Sequence, residues 1–208
     1  MTIIVAANMG NEIYFAYDTA AKWHHMDGSA HASFDKVRQV RENAALGIAG
    51  LSIHLEMFSD DIRQYSDQNP LSILERLIHN NTLDARYSTS FLLGIVEEGV
   101  PSIYAFHQRD RIIKQVQVYG IGSGMYDEVE SMLNSVDSSA TREELMAHLD
   151  ATVNFAKALD RERMDVLYGF GSGILSANGY TLVSYERAER ERLRVCFKSR
   201  RAQKFLKN

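Results

Sequence analysis

Two short apolar runs open the chain, residues 2 to 8 and 12 to 18, on either side of Met9-Gly10-Asn11. β-favouring runs around a short Gly/Asn gap predict a hairpin. A three-residue loop sets Asn8 opposite Glu12 and, in the same register, Thr2 opposite Asp18; a two-residue loop pairs Thr2 with Thr19 instead. Residues 20 to 33 are small and polar and predict a long loop turning at Asp27-Gly28. Strands are expected over 34 to 40 and 44 to 50. Helical spacing follows over 51 to 65 and 71 to 87, where Leu71, Leu74, Leu77 and Ile78 recur on one face after the Asn69-Pro70 break. Further strands are expected at 90 to 97, 103 to 107 and 112 to 119, then a helix at 125 to 134. Thr141-Arg142-Glu143-Glu144 has the form of a capping box opening a helix to about residue 159. Strands at 173 to 177 and 180 to 185, around Asn178-Gly179, close the pattern. Strands, two helices, strands, two helices, strands is the order of an α+β layered sandwich rather than a doubly wound parallel sheet.

Composition narrows the setting. The 208 residues are 45% hydrophobic and 24% charged, which excludes disordered and fibrous classes and suits one domain. The single cysteine, Cys196, excludes an intramolecular disulfide and a cysteine-rich zinc site, and points to a reducing compartment. With no run of about 18 apolar residues and no signal-peptide pattern at the amino end, a cytoplasmic protein is expected. The net charge of −4 is unevenly placed: residues 186 to 208 sum to +6 and residues 1 to 185 to −10. The boundaries expected are therefore a domain over 1 to 185 and a basic extension over 186 to 208. No aromatic interleaving or nucleic-acid motif accompanies the tail, so nucleic acid is not expected as a partner.

Several features that suggest chemistry fail on spacing. Gly120-x-Gly122-x-Gly124 and Gly169-x-Gly171-x-Gly173 lack both the later small residue of a dinucleotide loop and the Gly-Lys-Ser/Thr of a phosphate loop. They read as glycines for turns and close backbone approach. His24, His25 and His31 surround Asp27 without the spacing of a zinc site, so no metal or cofactor is expected. What remains is Thr2, directly after the initiator methionine. Removal of Met1 gives a threonine with a free α-amine of pKa about 7.7 to 8.0, able to take the proton of its own hydroxyl. Asp18 lies beside it by register. A lysine near that carboxylate lowers the pKa of amine and hydroxyl through its charge, and Lys36 is the candidate.

These residues resemble the β-type subunits of the proteasome and, more closely, the bacterial HslV peptidase. Thr2-Ile3-Ile4-Val5, Ala16-Tyr17-Asp18, Lys36-Val37-Arg38, Gly47-Ile48-Ala49-Gly50 and Gly120-Ile121-Gly122-Ser123-Gly124 occur in the family's order over residues 2 to about 185. The resemblance implies a four-layer αββα sandwich, two antiparallel sheets between helix layers: the amino-terminal nucleophile hydrolase fold. It implies Thr2 as nucleophile, Asp18 and Lys36 as the charged pair that tunes it, the Gly47 amide as oxyanion donor, and Ser123 as partner of the amine. Asp165-Val166-Leu167-Tyr168-Gly169 resembles the family's Asp-x-x-Ser-Gly, which makes Asp165 the late aspartate, with Asp160 in reserve. The chain departs from the family at Tyr168, where serine is usual, by two residues inserted before Lys36 relative to HslV, and in the basic extension.

The function implied is a threonine peptidase that acts on unfolded proteins from inside stacked homo-oligomeric rings, fed by a ring-shaped ATPase. With no propeptide before Thr2, removal of Met1 is the only processing expected. Small Ala45 and Ala49 are expected to leave room in the specificity pocket. The competing expectations are a catalytically silent ring protein and an amidase of the wider amino-terminal nucleophile group.

Overall fold

The computed structural model describes residues 2–25, 28–50, 52–80, 89–108, 110–137, 139–163 and 169–186. The opening runs form β1 (Ile4–Asn8) and β2 (Ile13–Asp18), paired from Ile4–Tyr17 to Asn8–Ile13. This is the two-residue-loop register. Met9 N–H donates to Glu12 C=O over 2.8 Å, and Gly10 takes the left-handed conformation (φ 89°) that the tight turn requires. Asp18 consequently lies across from Ile3 rather than Thr2, and its amide donates to Ile3 C=O over 3.2 Å.

Both strands are buried on both faces, which is why their sequences read as continuous apolar runs rather than alternating ones. Ile3, Val5, Ala7, Tyr14 and Ala16 face one way; Ile4, Ala6, Ile13, Phe15 and Tyr17 face the other. The small and polar residues read as a loop instead form a hairpin, β3 (Ala20–His25) with β4 (Gly28–Ser33). The ladder is held by backbone bonds, which a run without apolar alternation does not announce. The side chains of His24, His25 and His31 lie outside the described part.

A second sheet is built from β5 (Val37–Arg41), β6 (Ala44–Ala49), β7 (Ser90–Glu97), β8 (Val100–His107) and β9 (Ile112–Val116), in chain order and antiparallel throughout. The run over 112 to 119 is not one strand. It breaks at Gln117, whose carbonyl accepts the Asn8 amide over 2.8 Å, and continues as β10 (Val118–Ile121) in the other sheet. With β11 (Phe170–Ser176) and β12 (Gly179–Tyr185), that first sheet has the order β10-β1-β2-β11-β12.

Helices α1 (Ser52–Gln64) and α2 (Pro70–His79) cover the outer face of the second sheet, with Leu55, Phe58, Ile62, Ile73 and Leu74 buried against Leu46, Phe91 and Leu93. Pro70 at the first turn and the Asn69 side chain, which accepts the Leu71 amide over 2.8 Å, fix where α2 begins. Helices α3 (Asp127–Asn134) and α4 (Arg142–Arg163) cover the outer face of the first sheet. The capping box forms as the sequence predicts. Glu144 accepts the Thr141 amide over 2.8 Å and the Glu144 amide reaches Thr141 Oγ1 over 3.3 Å. The buried stripe Leu145, Leu149, Val153 and Ala156 then packs on Val5 and Tyr14's side of the sheet. A third apolar cluster, with Ile4, Phe15, Tyr17, Val37, Leu92 and Ile103, lies between the two sheets. The chain is thus α+β, with two antiparallel five-stranded sheets and four helices among the described residues.

Candidate active site

Thr2 sits at the entrance to β1, held by backbone contacts before its side chain is considered. Its carbonyl accepts the Gly124 amide over 2.9 Å, and its N–H donates to Ser123 Oγ over 3.1 Å. The loop after β10 approaches so closely that a Cβ on Gly122 (φ 116°) would lie 2.2 Å from Thr2 O. Only glycine meets both the conformation and the space. Ser123 itself is exposed.

The charged pair is buried. Lys36 Nζ donates to Asp18 Oδ2 over 2.5 Å and to Thr2 Oγ1 over 3.4 Å, with Lys36 4% and Asp18 0% exposed. The other carboxylate oxygen of Asp18 accepts the Ile3 amide over 2.6 Å. Asp18 therefore faces a backbone donor on one side and an ammonium on the other, as a buried carboxylate requires. Burial pushes the Lys36 pKa down, against the opposing pull of Asp18. A lysine in that condition is a strong local field beside Thr2 Oγ1, since little water screens it.

Gly47 is placed differently from what its expected role requires. Ile48 N–H donates to Lys36 C=O over 3.2 Å, so the even-numbered residues at this end of β6 face β5. The Gly47 amide faces β7, where Gly47 pairs with Leu92. The missing Cβ matters for packing, because it would meet Ile4 Cγ2 and Val37 Cγ2 at 3.3 Å between the sheets. By the same alternation the amide of Gly50, just past the end of β6, faces the edge that Lys36 occupies. The sequence signal for it was the second glycine of Gly47-Ile48-Ala49-Gly50. Ala45 and Ala49 are buried in the cluster between the sheets.

Asp165 lies outside the described residues. Asp160, the reserve, is buried and accepts the Tyr126 hydroxyl over 2.9 Å at the start of α3, so it braces the segment that follows the Gly122–Gly124 loop. Lys157, not singled out from sequence, is a second cation in the field of Asp18; its pKa is lowered by burial and raised in part by Glu186 and Asp18. It lies four residues after the buried Val153, on the same face of α4.

The glycine cluster in β11 has a packing role. A Cβ on Gly171 would lie 2.4 Å from the Tyr17 ring, and one on Gly173 2.3 Å from the Tyr180 hydroxyl. Both tyrosines lie flat on backbone that glycine leaves open. Among the described residues no helix is long and apolar enough to cross a membrane.

No protein-family model matches the chain, and no curated protein matches it. A functional reading therefore rests on the residues and their geometry.

Proposed function

We propose that this chain is a hydrolase whose nucleophile is Thr2, with the amino-terminal nucleophile fold and the peptide-cleaving activity that its resemblance to proteasome β subunits and HslV implies. The observation that supports it is the Lys36 ammonium shared between Thr2 Oγ1 and a buried Asp18, with Ser123 Oγ on Thr2 N. Removal of Met1 converts Thr2 N from a peptide nitrogen into an amine. That amine takes the Oγ1 proton as Oγ1 attacks the scissile carbonyl carbon, while Lys36 stabilises the forming alkoxide. Collapse of the tetrahedral species breaks the C–N bond, and the protonated amine returns its proton to the leaving nitrogen. Water, activated by the same amine, then cleaves the ester to Thr2. The oxyanion contact falls to the Gly50 amide in this reading, because the ladder engages that of Gly47. Stacked homo-oligomeric rings, unfolded protein substrates, a ring-shaped ATPase partner and a cytoplasmic setting belong to the proposal through the resemblance alone.

Mass spectrometry of the native protein tests the first requirement, a chain starting at Thr2. A covalent threonine-directed inhibitor is then expected to modify the wild type at Thr2 and leave Thr2→Ala unmodified. Full retention of Met1, or equal labelling of both proteins, overturns the reading and leaves the silent ring protein as the better one.

A further inference from the structure

Strand β12 is an edge of the first sheet, with β11 on one side and, among the described residues, no strand on the other. Alternate residues of such a strand turn their backbone N–H and C=O groups outward, a template for pairing with another chain. Proteins ordinarily protect an edge with a charge, a proline or a bulge. Apart from a bulge at Val183, β12 has none of these: Gly179–Tyr185 contains no charged residue and no proline, and Leu182 and Val183 are 48% and 49% exposed. The two ends of the strand differ in charge. Past Glu186 the chain continues into residues 187 to 208, nine Lys or Arg against two Glu. At the other end, the exposed Glu42, Glu97 and Glu98 surround the Asn178-Gly179 turn. A Cβ on Gly179 would lie 3.9 Å from Glu42 O, and Ala177 shares with Glu97 and Glu98 an open cavity of about 730 Å³. The seven residues of β12 hold these ends about 20 Å apart.

We infer that β12 is a contact between two copies of this chain, paired antiparallel about a two-fold axis so that the first sheet continues from one copy into the other. A second copy fits both features of the strand. Antiparallel pairing joins two uncharged, apolar edges and brings the basic start of each extension to the other copy's Glu42 and Glu98, so the attraction is made twice by symmetry. Parallel pairing sets like charges together. Val183, the extra residue of the bulge, divides the joined ladder into two short stretches. A contact of that length lies at the small end of specific interfaces, about 1,200 Å² or less, so the charges carry much of its strength. The contact does not depend on the chemistry at Thr2.

The test cross-links the full chain at the strand itself, which reads this contact whatever larger assembly surrounds it. In a Cys196→Ser chain, Leu182→Cys is expected to give a covalent dimer with a short bismaleimide. Lys114→Cys, on the edge strand β9 of the second sheet, is the control and is expected to give little. Two charge reversals are then added to the Leu182→Cys chain separately: Glu42→Lys/Glu98→Lys at one end, and Arg187→Glu/Arg190→Glu at the other. Glu97 is left in place because it accepts the Asn69 side-chain amide over 3.4 Å. Each reversal sets like charges together across the two-fold axis and is expected to lower the dimer yield about tenfold or more. An equal mixture of the two reversed proteins restores opposite charges at both ends and is expected to recover most of the yield, which also shows that both are folded. A Leu182→Cys yield no greater than that of the control overturns the inference. So does a mixture that cross-links no better than its components, the result expected if the extension lies along β12 of its own chain.

Discussion

Replacing Lys36 by methionine removes the ammonium but keeps most of the side chain's length, and leaves Asp18 0% exposed with only the Ile3 amide, 2.6 Å away, for a partner. Breaking a buried ion pair on one side costs roughly 3–5 kcal/mol, because the remaining charge loses its hydrogen-bonded counter-ion and has no water in its place. For a protein of this size that is a fall in Tm on the order of 10 °C. Asp18→Asn is expected to cost a similar amount by stranding Lys36, although the new amide still accepts the Ile3 N–H. The double variant Asp18→Asn/Lys36→Met removes both charges of this pair and is expected within about 2 kcal/mol of wild type. The two substitutions therefore couple strongly, and urea denaturation of all four proteins at pH 7, with m unchanged, measures that coupling. All three variants are expected to be inactive. The reasoning fails if each single variant costs under about 1 kcal/mol, the value of a screened surface pair, since a solvated pair cannot supply the field proposed at Thr2 Oγ1.

Gly122→Ala is expected to lower Tm and abolish turnover together, because its methyl would lie 2.2 Å from Thr2 O in a conformation that L-residues rarely adopt; a variant with wild-type Tm would show that this loop yields. His107 is expected to make the fold acid-sensitive. Its ring bridges the sheets, with Nδ1 2.8 Å from Ser90 Oγ and Nε2 3.1 Å from the Tyr119 hydroxyl, and burial holds its pKa below the ordinary 6.5, Asp110 and Glu130 pulling it up and Lys114 down. A depressed pKa means that the unfolded chain binds the proton more readily, so this stabilisation is complete above about pH 6.5 and is lost as pH falls through the folded value. The Tm of wild type should drop more steeply between pH 7.5 and 5 than that of His107→Gln, and parallel curves would refute the assignment.

The elements that sequence made legible are those whose signal is local. The Asn69-Pro70 start of α2, the Thr141 to Glu144 box and the Asn178-Gly179 turn each act within four residues. The elements missed depend on partners distant in the chain. The apolar run over 112 to 119 has one period throughout, and only the Asn8 amide on Gln117 C=O shows that it serves two sheets. The β3–β4 ladder pairs a mixed run of Ala, Lys, Trp and His with mostly small residues, a composition with no apolar alternation to mark a strand. At the site, Thr2, Asp18, Lys36 and Ser123 were legible as an ordered set, and the structure gathers those four side chains. The Tyr17–Asp35 bond joins side chains 18 residues apart, which no local pattern reports. Gly47 was plausible from its motif, but the direction of an amide depends on strand parity, which a motif does not report and the Ile48–Lys36 bond reveals.

The site is divided between the sheets: Thr2, Asp18 and Ser123 belong to the first, while Lys36 enters along the second. Neither sheet contains the arrangement by itself, and the Thr2–Ser123 contact spans 121 residues of chain. Contacts of such sequence separation form late, after loop closure has been overcome. Thr2 is therefore made before both Lys36 and Ser123, and the activation proposed for its hydroxyl waits until the two sheets have docked. In the proposed hydrolase, this division ties the activation of the threonine to the docking of the two sheets.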